Sequence, residues 1–219
     1  MMPLLGLVLL LCVLLGIIYH KSNKSIDESE ENFWDRERAA NTTIRRDITD
    51  LPYITIPLDK FPLDFEAGSD GATLISDLKS LSEKKILNLT DKTNTDLKLE
   101  YGLNNLETMQ EIGENYNRLT VIIRDIASLL IEQNRIDEAV RILEYGVSIR
   151  SDISANYTML GDCYIKQNQE LKIQTLIEQV KLLHLLMEPA IIKHLESLLC
   201  PSSHTDSEGD LSLETSQSE

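Results

Sequence analysis

Glycine and proline are both scarce in this chain. Its 219 residues include nine glycines and six prolines, so few points in the sequence interrupt regular secondary structure. Long stretches carry Leu and Ile at three- and four-residue spacing, which is typical of amphipathic helices. Because 42% of the residues are apolar, the sequence predicts an all-α protein with a hydrophobic core.

Cysteine is also rare, and the three cysteines do not suggest a disulfide framework. Cys12 lies in an apolar leader, and Cys163 and Cys200 are far apart in the sequence. A sparse, odd-numbered set fits a reducing compartment better than an oxidising one. Cys163 lies between Gly161 and Tyr164 on a predicted packed helix, so we interpret it as a buried structural thiol rather than a nucleophile.

Basic residues are outnumbered by acidic residues, 21 to 36, and the formal net charge is -15. A field of that sign repels phosphate backbones, so nucleic acid is not expected as a partner of the whole molecule. The excess of acidic residues is explained by solubility alone.

Sequence signatures of common enzyme sites are missing. There is no P-loop, no G-x-S-x-G, no H-E-x-x-H and no glycine-rich dinucleotide turn. We therefore predict that the protein is not an enzyme and has no catalytic residues, cofactor or metal site. His184, His194 and Cys200 could approach one another near the last helices, but their spacing matches no tight zinc-ligand pair. Surface or packing histidines are the preferred interpretation.

An uncharged apolar run opens the sequence. Residues 1–19 read MMPLLGLVLLLCVLLGIIY, and as a helix they are just long enough to cross a hydrocarbon core of roughly 30 Å. No basic residue precedes the run and no small-residue cleavage site follows it. We therefore expect a transmembrane anchor over residues 1–20 rather than a removable signal peptide.

Basic residues after the run set the expected orientation of the anchor. They include Lys21, Lys24, Arg36 and Arg38, whereas only the amino terminus precedes the run. The positive-inside rule then places the C-terminal body in the cytoplasm. Four N-x-S/T sequons argue for the opposite side in a eukaryote, but we interpret them as chance matches in a chain rich in Asn, Ser and Thr. They begin at Asn23, Asn41, Asn88 and Asn156.

Residues 21–50 are polar and mixed in charge, and they predict a juxtamembrane spacer that ends in a short helix. Phe33 and Trp34 would either rest at the lipid interface or pack on the body. Arg45 and Arg46, beside Asp47, form either a solvated face or a weak contact with lipid headgroups. The solvated face is the preferred interpretation.

Three prolines shape the next segment, residues 51–72. Pro52, Pro57 and Pro62 are five residues apart and rule out a continuous helix. Apolar residues between them predict an extended strap that packs along the helical body, where it would compete with a partner for any groove. Gly68 and Gly71 would end the strap as a flexible linker.

Residues 73–200 predict a helical domain, and residues 201–219 predict a disordered acidic tail. N-cap chemistry is offered by Asn94, Thr95 and Asp96. Residues 188–199 would form a closing helix that covers the last repeat, with Pro189 tolerated in its first turn.

A pattern with a 34-residue period occupies residues 120–187. Apolar and small residues recur at equivalent positions: Ile123, Ile126, Ala127, Leu130, Ala139, Leu143 and Gly146, then Tyr157, Leu160, Gly161, Tyr164, Ile173, Ile177 and Val180. The segment YTMLGDCY over residues 157–164 matches the first-helix core of the tetratricopeptide repeat (TPR). The segment NRIDEA over residues 134–139 resembles the turn and second-helix start of the preceding unit. About a third of the chain thus resembles a TPR protein.

The TPR resemblance implies antiparallel helical hairpins stacked as a short array, with a protein or peptide partner on the concave face. Carried over by position, the candidate partner-binding surface comprises Arg124, Ser128, Thr158, Asp162 and Lys166.

The small side chains of the pattern would allow partner helices to cross closely. They are Ala127, Ala139 and Gly161. Ile173 replaces the small residue of the second unit, and Ser151 occupies the position of the usual proline, so the repeats are degenerate.

The chain is also similar to a group of small single-pass proteins of clostridial-type bacteria that have no established function. The similarity lies in RRDITD (residues 45–50), NTDLKLEYG (residues 94–102) and LEYGVSIRSDI (residues 143–153). It implies membrane tethering and supplies no activity.

Together these features predict a membrane-anchored scaffold or adaptor that binds a protein or peptide. The alternative is a structural subunit of a membrane complex, with anchor contacts through Gly6 and Gly16. An enzyme of unrecognised type is the third hypothesis.

Overall fold

The structure is a computed structural model that describes residues 30–62 and 64–199. Within these residues the regular elements are all helical and no strand is present, which confirms the all-α prediction for this part of the chain. The α-helices are α1 (residues 30–41), α2 (Asp70–Ser82), α3 (Asn94–Tyr101), α4 (Leu106–Glu132), α5 (Ile136–Ser148), α6 (Ser154–Lys166), α7 (Glu170–Leu183) and α8 (Glu188–Leu199).

The predicted anchor over residues 1–20 and the predicted tail over residues 201–219 lie outside the described residues. In the part of the chain that the structure describes, no helix combines the length and the apolar character needed to cross a membrane.

The chain divides into two compact units, Met1–Ile122 and Ile123–Glu219. In the first unit, a core cluster forms between α3, the first half of α4 and the irregular segment before α3. Its buried members are Leu89, Leu97, Tyr101, Met109 and Ile112. This cluster is the surface on which the preceding segments pack.

The proline-containing strap lies against the first unit. Residues 51–57 are not helical, and a single 3-10 turn follows at Leu58–Lys60. The Ile54 N–H donates to the Ile86 carbonyl at 2.8 Å, and Tyr53 packs on the core cluster. Ile56 and Phe61 are buried, so the strap is a packed part of this unit.

Three helix boundaries differ from those predicted from the sequence. α1 lies in the middle of residues 21–50 instead of at their end. α2 begins at Asp70, so Gly71 lies inside a helix and not in a linker. α3 is capped by Thr93 rather than by Asn94: the Thr93 hydroxyl accepts from the Asp96 N–H, and the Asp96 carboxylate accepts from the Thr93 N–H.

The second unit contains two helical hairpins with equivalent turns. The first is formed by the end of α4 and by α5, and the second by α6 and α7. Arg135 N–H donates to the Leu130 carbonyl at 2.8 Å, and one repeat period later Gln169 N–H donates to the Tyr164 carbonyl at 2.9 Å. The starts of α5 and α7, at Ile136 and Glu170, are separated by the same period.

Each of these turns places an asparagine in the left-handed region of backbone space. Asn134 has a φ of 59° and Asn168 a φ of 55°. Asparagine adopts this conformation more readily than most residues because its short polar side chain can hydrogen-bond locally. The shared residue type and conformation make the two turns equivalent in detail.

The apolar positions of the repeat pattern are buried in both hairpins. In the first they are Ile123, Ile126, Ala127, Leu130, Ala139, Leu143 and Gly146, and in the second Tyr157, Leu160, Gly161, Tyr164, Ile173, Ile177 and Val180. The pattern therefore describes one packing scheme that is used twice.

Helix α8 packs against both helices of the second hairpin. A Cβ atom at Gly161 would overlap Leu195 Cδ2 and lie 3.2 Å from Leu198 Cδ1, both on α8. Sequence reasoning assigned the close approach at Gly161 to its partner helix in the repeat. The neighbour is instead the closing helix, because α8 runs directly over this face of α6.

The substitution Gly161→Leu should destabilise the second unit by about 3 kcal/mol or more, near the upper end of overpacking costs. Leu195 is fully buried, so it has no room to move aside. The measurement is equilibrium unfolding of the full chain in neutral detergent.

Gly113→Ala is the control for a helical glycine that has room for a side chain. Its Cβ would lie 3.5 Å from Leu89 Cδ1, an ordinary contact, and alanine favours a helix interior by about 1 kcal/mol over glycine. Equal stability of the Gly161→Leu protein and the wild type would refute the close α6–α8 contact.

Candidate partner-binding site

The five residues of the predicted surface lie on the first helices of the two hairpins. Arg124 and Ser128 belong to α4, and Thr158, Asp162 and Lys166 belong to α6. One repeat period separates Arg124 from Thr158 and also Ser128 from Asp162, so each pair occupies one position of the repeat. All five side chains are at least partly exposed, which a docking surface requires.

The charged group at Arg124 already has a local partner. Its Nη2 lies 2.7 Å from Asp125 Oδ1, and the two side chains are 39% and 37% exposed. Exposed pairs of this kind contribute little to stability, about 0–1 kcal/mol. A carboxylate of a partner can therefore compete with Asp125 for the guanidinium at small cost.

Asp162 is held by the closing helix. His194 Nε2 lies 2.9 Å from Asp162 Oδ1, and the side chains are 38% and 45% exposed. Sequence reasoning missed His194 as part of this surface. The sequence places His194 next to Leu195, but only the packing of α8 on Gly161 shows that His194 and Asp162 lie on the same surface.

The remaining predicted residues have fewer interactions. Thr158 donates its hydroxyl proton to the Ala155 carbonyl at 3.3 Å, and its oxygen can still accept a hydrogen bond. Lys166 is exposed at the end of α6. The surface therefore offers two cations, Arg124 and Lys166, together with the hydroxyl groups of Ser128 and Thr158.

A buried polar joint before α6 positions this helix. Ser151 N–H donates to the Gly146 carbonyl at 3.0 Å, the Asn156 amide donates to Ser151 Oγ at 2.7 Å, and the Tyr157 hydroxyl donates to the Ser151 carbonyl at 2.6 Å. A proline in place of Ser151 would lack the N–H that reaches Gly146. The departure from the TPR pattern at this position thus has a structural reason.

Burial in this joint affects the chemistry of two side chains. Burial is the main reason that the pKa of Tyr157 is raised above its ordinary value. Asn156 is fully buried, so its N-x-S/T sequon is not accessible to glycosylation in the folded chain.

Cys163 is fully buried on α6. Burial raises the pKa of its thiol, with a smaller raising effect from Asp162 and an opposing effect from Lys166. A thiol that ionises less readily is a poor nucleophile. These observations agree with the interpretation of Cys163 as a structural residue.

The two histidines considered for a zinc site lie beside different carboxylates. His194 contacts Asp162, and His184 lies 3.9 Å from Glu188, while Cys200 lies outside the described residues. Across residues 30–62 and 64–199, no three His, Cys, Asp or Glu side chains are grouped as metal ligands would be.

Comparison of the chain with protein-family models, with curated proteins and with solved structures finds no match. Any function assigned to this chain therefore rests on its own residues and geometry.

In a variant that retains only Cys163, with Cys12 and Cys200 replaced by serine, alkylation by iodoacetamide should be at least about a hundredfold slower than for a variant that lacks the three native cysteines and carries Gln174→Cys at an exposed position of α7. The reason is that a buried thiol reacts only when the fold opens locally. The two rates are measured by mass spectrometry under native conditions and in denaturant. Comparable native rates would contradict the packed position of Cys163.

Proposed function

We propose that this chain is a membrane-anchored protein-interaction module whose two hairpins are degenerate TPR-like repeats. The observation that carries the proposal is the equivalence of the hairpins at the spacing of one repeat period, seen in their turns, their helix starts and their buried positions. Repeats of this kind commonly present a continuous surface to an extended ligand.

The polar surface on α4 and α6 favours a peptide segment of another protein as the ligand. Equivalent exposed positions on successive hairpins, such as Arg124 and Thr158, suit a chain that runs across both helices. The cations at Arg124 and Lys166 and the hydroxyls at Ser128 and Thr158 can bind carboxylates and backbone carbonyls of such a segment.

Asp162 would play a secondary role in this proposal. His194 already contacts one of its two carboxylate oxygens, so Asp162 has fewer acceptor positions left for a partner. We therefore place the main contacts at Arg124, Ser128, Thr158 and Lys166.

In this proposal, the apolar run over residues 1–20 tethers the chain to a membrane. The body would lie on the cytoplasmic side, as the basic residues after the run indicate. A role as scaffold or adaptor, without catalysis, agrees with the lack of known catalytic motifs in the sequence.

Site-specific photocrosslinking in the native membrane tests the proposal. A photoreactive amino acid replaces Thr158 in the full chain, and the same amino acid replaces Gln174, an exposed residue of α7, as the matched control. We expect one discrete protein adduct from position 158 and none from position 174. Adding Lys166→Glu should reduce the adduct at least about fivefold, since a charge reversal replaces attraction by repulsion.

Equal labelling from both positions, or no adduct from position 158, would contradict a docking surface on the first helices. A discrete adduct that is lost when a different transmembrane segment replaces residues 1–20 would instead support the structural subunit of a membrane complex.

A further inference from the structure

An open pocket of about 500 Å³ lies in the first unit and is lined by three basic side chains. These are Arg45, Arg46 and Lys85, and the rest of the lining is Asp47, Ile48 and Thr49. Such a concentration of positive charge is unusual in a chain with a formal net charge of -15.

The backbone that carries the two arginines is fixed to the end of α3. Arg46 N–H donates to the Tyr101 carbonyl at 3.0 Å. Gly102 has a φ of 90°, and a Cβ atom there would lie only 2.7 Å from Arg45 Cα. Glycine is therefore required at this position, both for its backbone conformation and for the close approach of the arginine segment.

Asn105 is the second element that fixes the arginines. Its side chain is 1% exposed, and its amide donates to the carbonyls of Arg46 at 2.7 Å and Tyr101 at 2.8 Å. Its oxygen accepts from Arg45 Nε at 3.1 Å. A buried side chain thus orients one guanidinium and holds the backbone of the next residue, which reduces the entropy that a ligand would have to overcome.

Two carboxylates act on the cations of this pocket without direct contact: Glu100, whose pKa is lowered chiefly by Lys92 and also by Arg46, and Asp47, whose pKa is lowered chiefly by Thr49 and also by Lys85. Lys92 pairs with Glu100, and Lys98 with Glu37. Among the described residues, by contrast, Arg45, Arg46 and Lys85 have no direct ion pair.

Asp47 is the single carboxylate of the pocket lining, and it is engaged by Thr49. Its Oδ1 accepts from Thr49 N–H at 2.9 Å and from the Thr49 hydroxyl at 2.6 Å. Three cations against one anion leave an excess of two positive charges among the lining residues.

Lys85 is the cation contributed by a different segment of the chain. Its Nζ lies 4.8 Å from the centroid of the Tyr53 ring, a distance that allows a cation–π interaction. Since Tyr53 also packs on the core cluster, the strap helps to place this ammonium group at the pocket.

We propose that this pocket binds a phosphate group. A phosphate presents several negatively charged oxygens to surrounding donors, and guanidinium groups bind it through paired hydrogen bonds. The bound phosphate would contact Arg46 and Lys85 directly, while Arg45 would contribute the guanidinium nitrogens not used by Asn105. The group can belong to a lipid headgroup or to a soluble phosphate compound, and this site is independent of the surface on α4 and α6.

The test uses the full chain in neutral detergent, with inorganic phosphate and dihexanoyl phosphatidic acid as probes and dihexanoylglycerol, which has the same acyl chains and no phosphate group, as the control. Binding is measured by isothermal titration calorimetry. The double variant Arg46→Gln/Lys85→Gln should lose about tenfold or more in affinity, because hydrogen bonds to charged groups are the stronger class. The charge-matched control is Lys79→Gln/Lys84→Gln, which alters two exposed lysines outside the lining and should change affinity less than threefold.

A third variant, Asp47→Asn, tests the site in the opposite direction. It retains the oxygen that accepts from Thr49 and removes the negative charge, so affinity for phosphate should rise about two- to threefold. An increase in affinity cannot result from misfolding. For the other variants, an unchanged circular dichroism spectrum shows that the fold is retained.

Saturable binding of inorganic phosphate with this dependence on the variants, whether or not phosphatidic acid also binds, supports the site and shows that a phosphate group without a lipid is sufficient, as for a soluble ligand. Binding of phosphatidic acid alone supports the site and indicates a lipid headgroup. The proposal is overturned if neither probe binds, if dihexanoylglycerol binds as well as phosphatidic acid, or if the control double variant weakens binding as much as Arg46→Gln/Lys85→Gln.

Discussion

The buried joint between α5 and α6 determines how the second hairpin follows the first. Ser151 donates its N–H to the Gly146 carbonyl and receives hydrogen bonds from Asn156 and Tyr157 at the start of α6. Each of these groups is withdrawn from water, so each must find a partner inside the protein or destabilise the fold by about 1–3 kcal/mol. The direction in which α6 leaves the joint places Thr158, Asp162 and Lys166, the part of the candidate surface that lies on α6.

The closing helix α8 both stabilises the second hairpin and contacts the candidate surface. Its Leu195 fills the space beside Gly161, which has no side chain, and so shields this face of α6 from water. The same helix brings His194 against Asp162. Covering the last hairpin therefore occupies part of one carboxylate, Asp162, on the surface that the sequence predicts for a partner.

Features that repeat along the chain could be predicted from the sequence, and features that depend on contacts between distant segments could not. Ala127 and Gly161 were identifiable because burial follows the repeat period. The contact of Asp162 with His194, and the fixing of Arg45 by Asn105 across 60 residues, leave no local pattern. The Thr93 cap was missed for a simpler reason: Thr93, Asn94 and Thr95 are all acceptable caps, and only the backbone decides among them.

Removing one hydroxyl group tests the joint most directly. In the full chain, Tyr157→Phe leaves the buried Ser151 carbonyl without its donor, and we expect a loss of about 1–2 kcal/mol in the free energy of unfolding. Tyr164→Phe is the control, since its hydroxyl contacts Glu144, an exposed carboxylate that water can solvate; its loss should be less than half as large. Equal losses for the two variants, measured by denaturant unfolding in neutral detergent, would contradict the role of the α5–α6 joint.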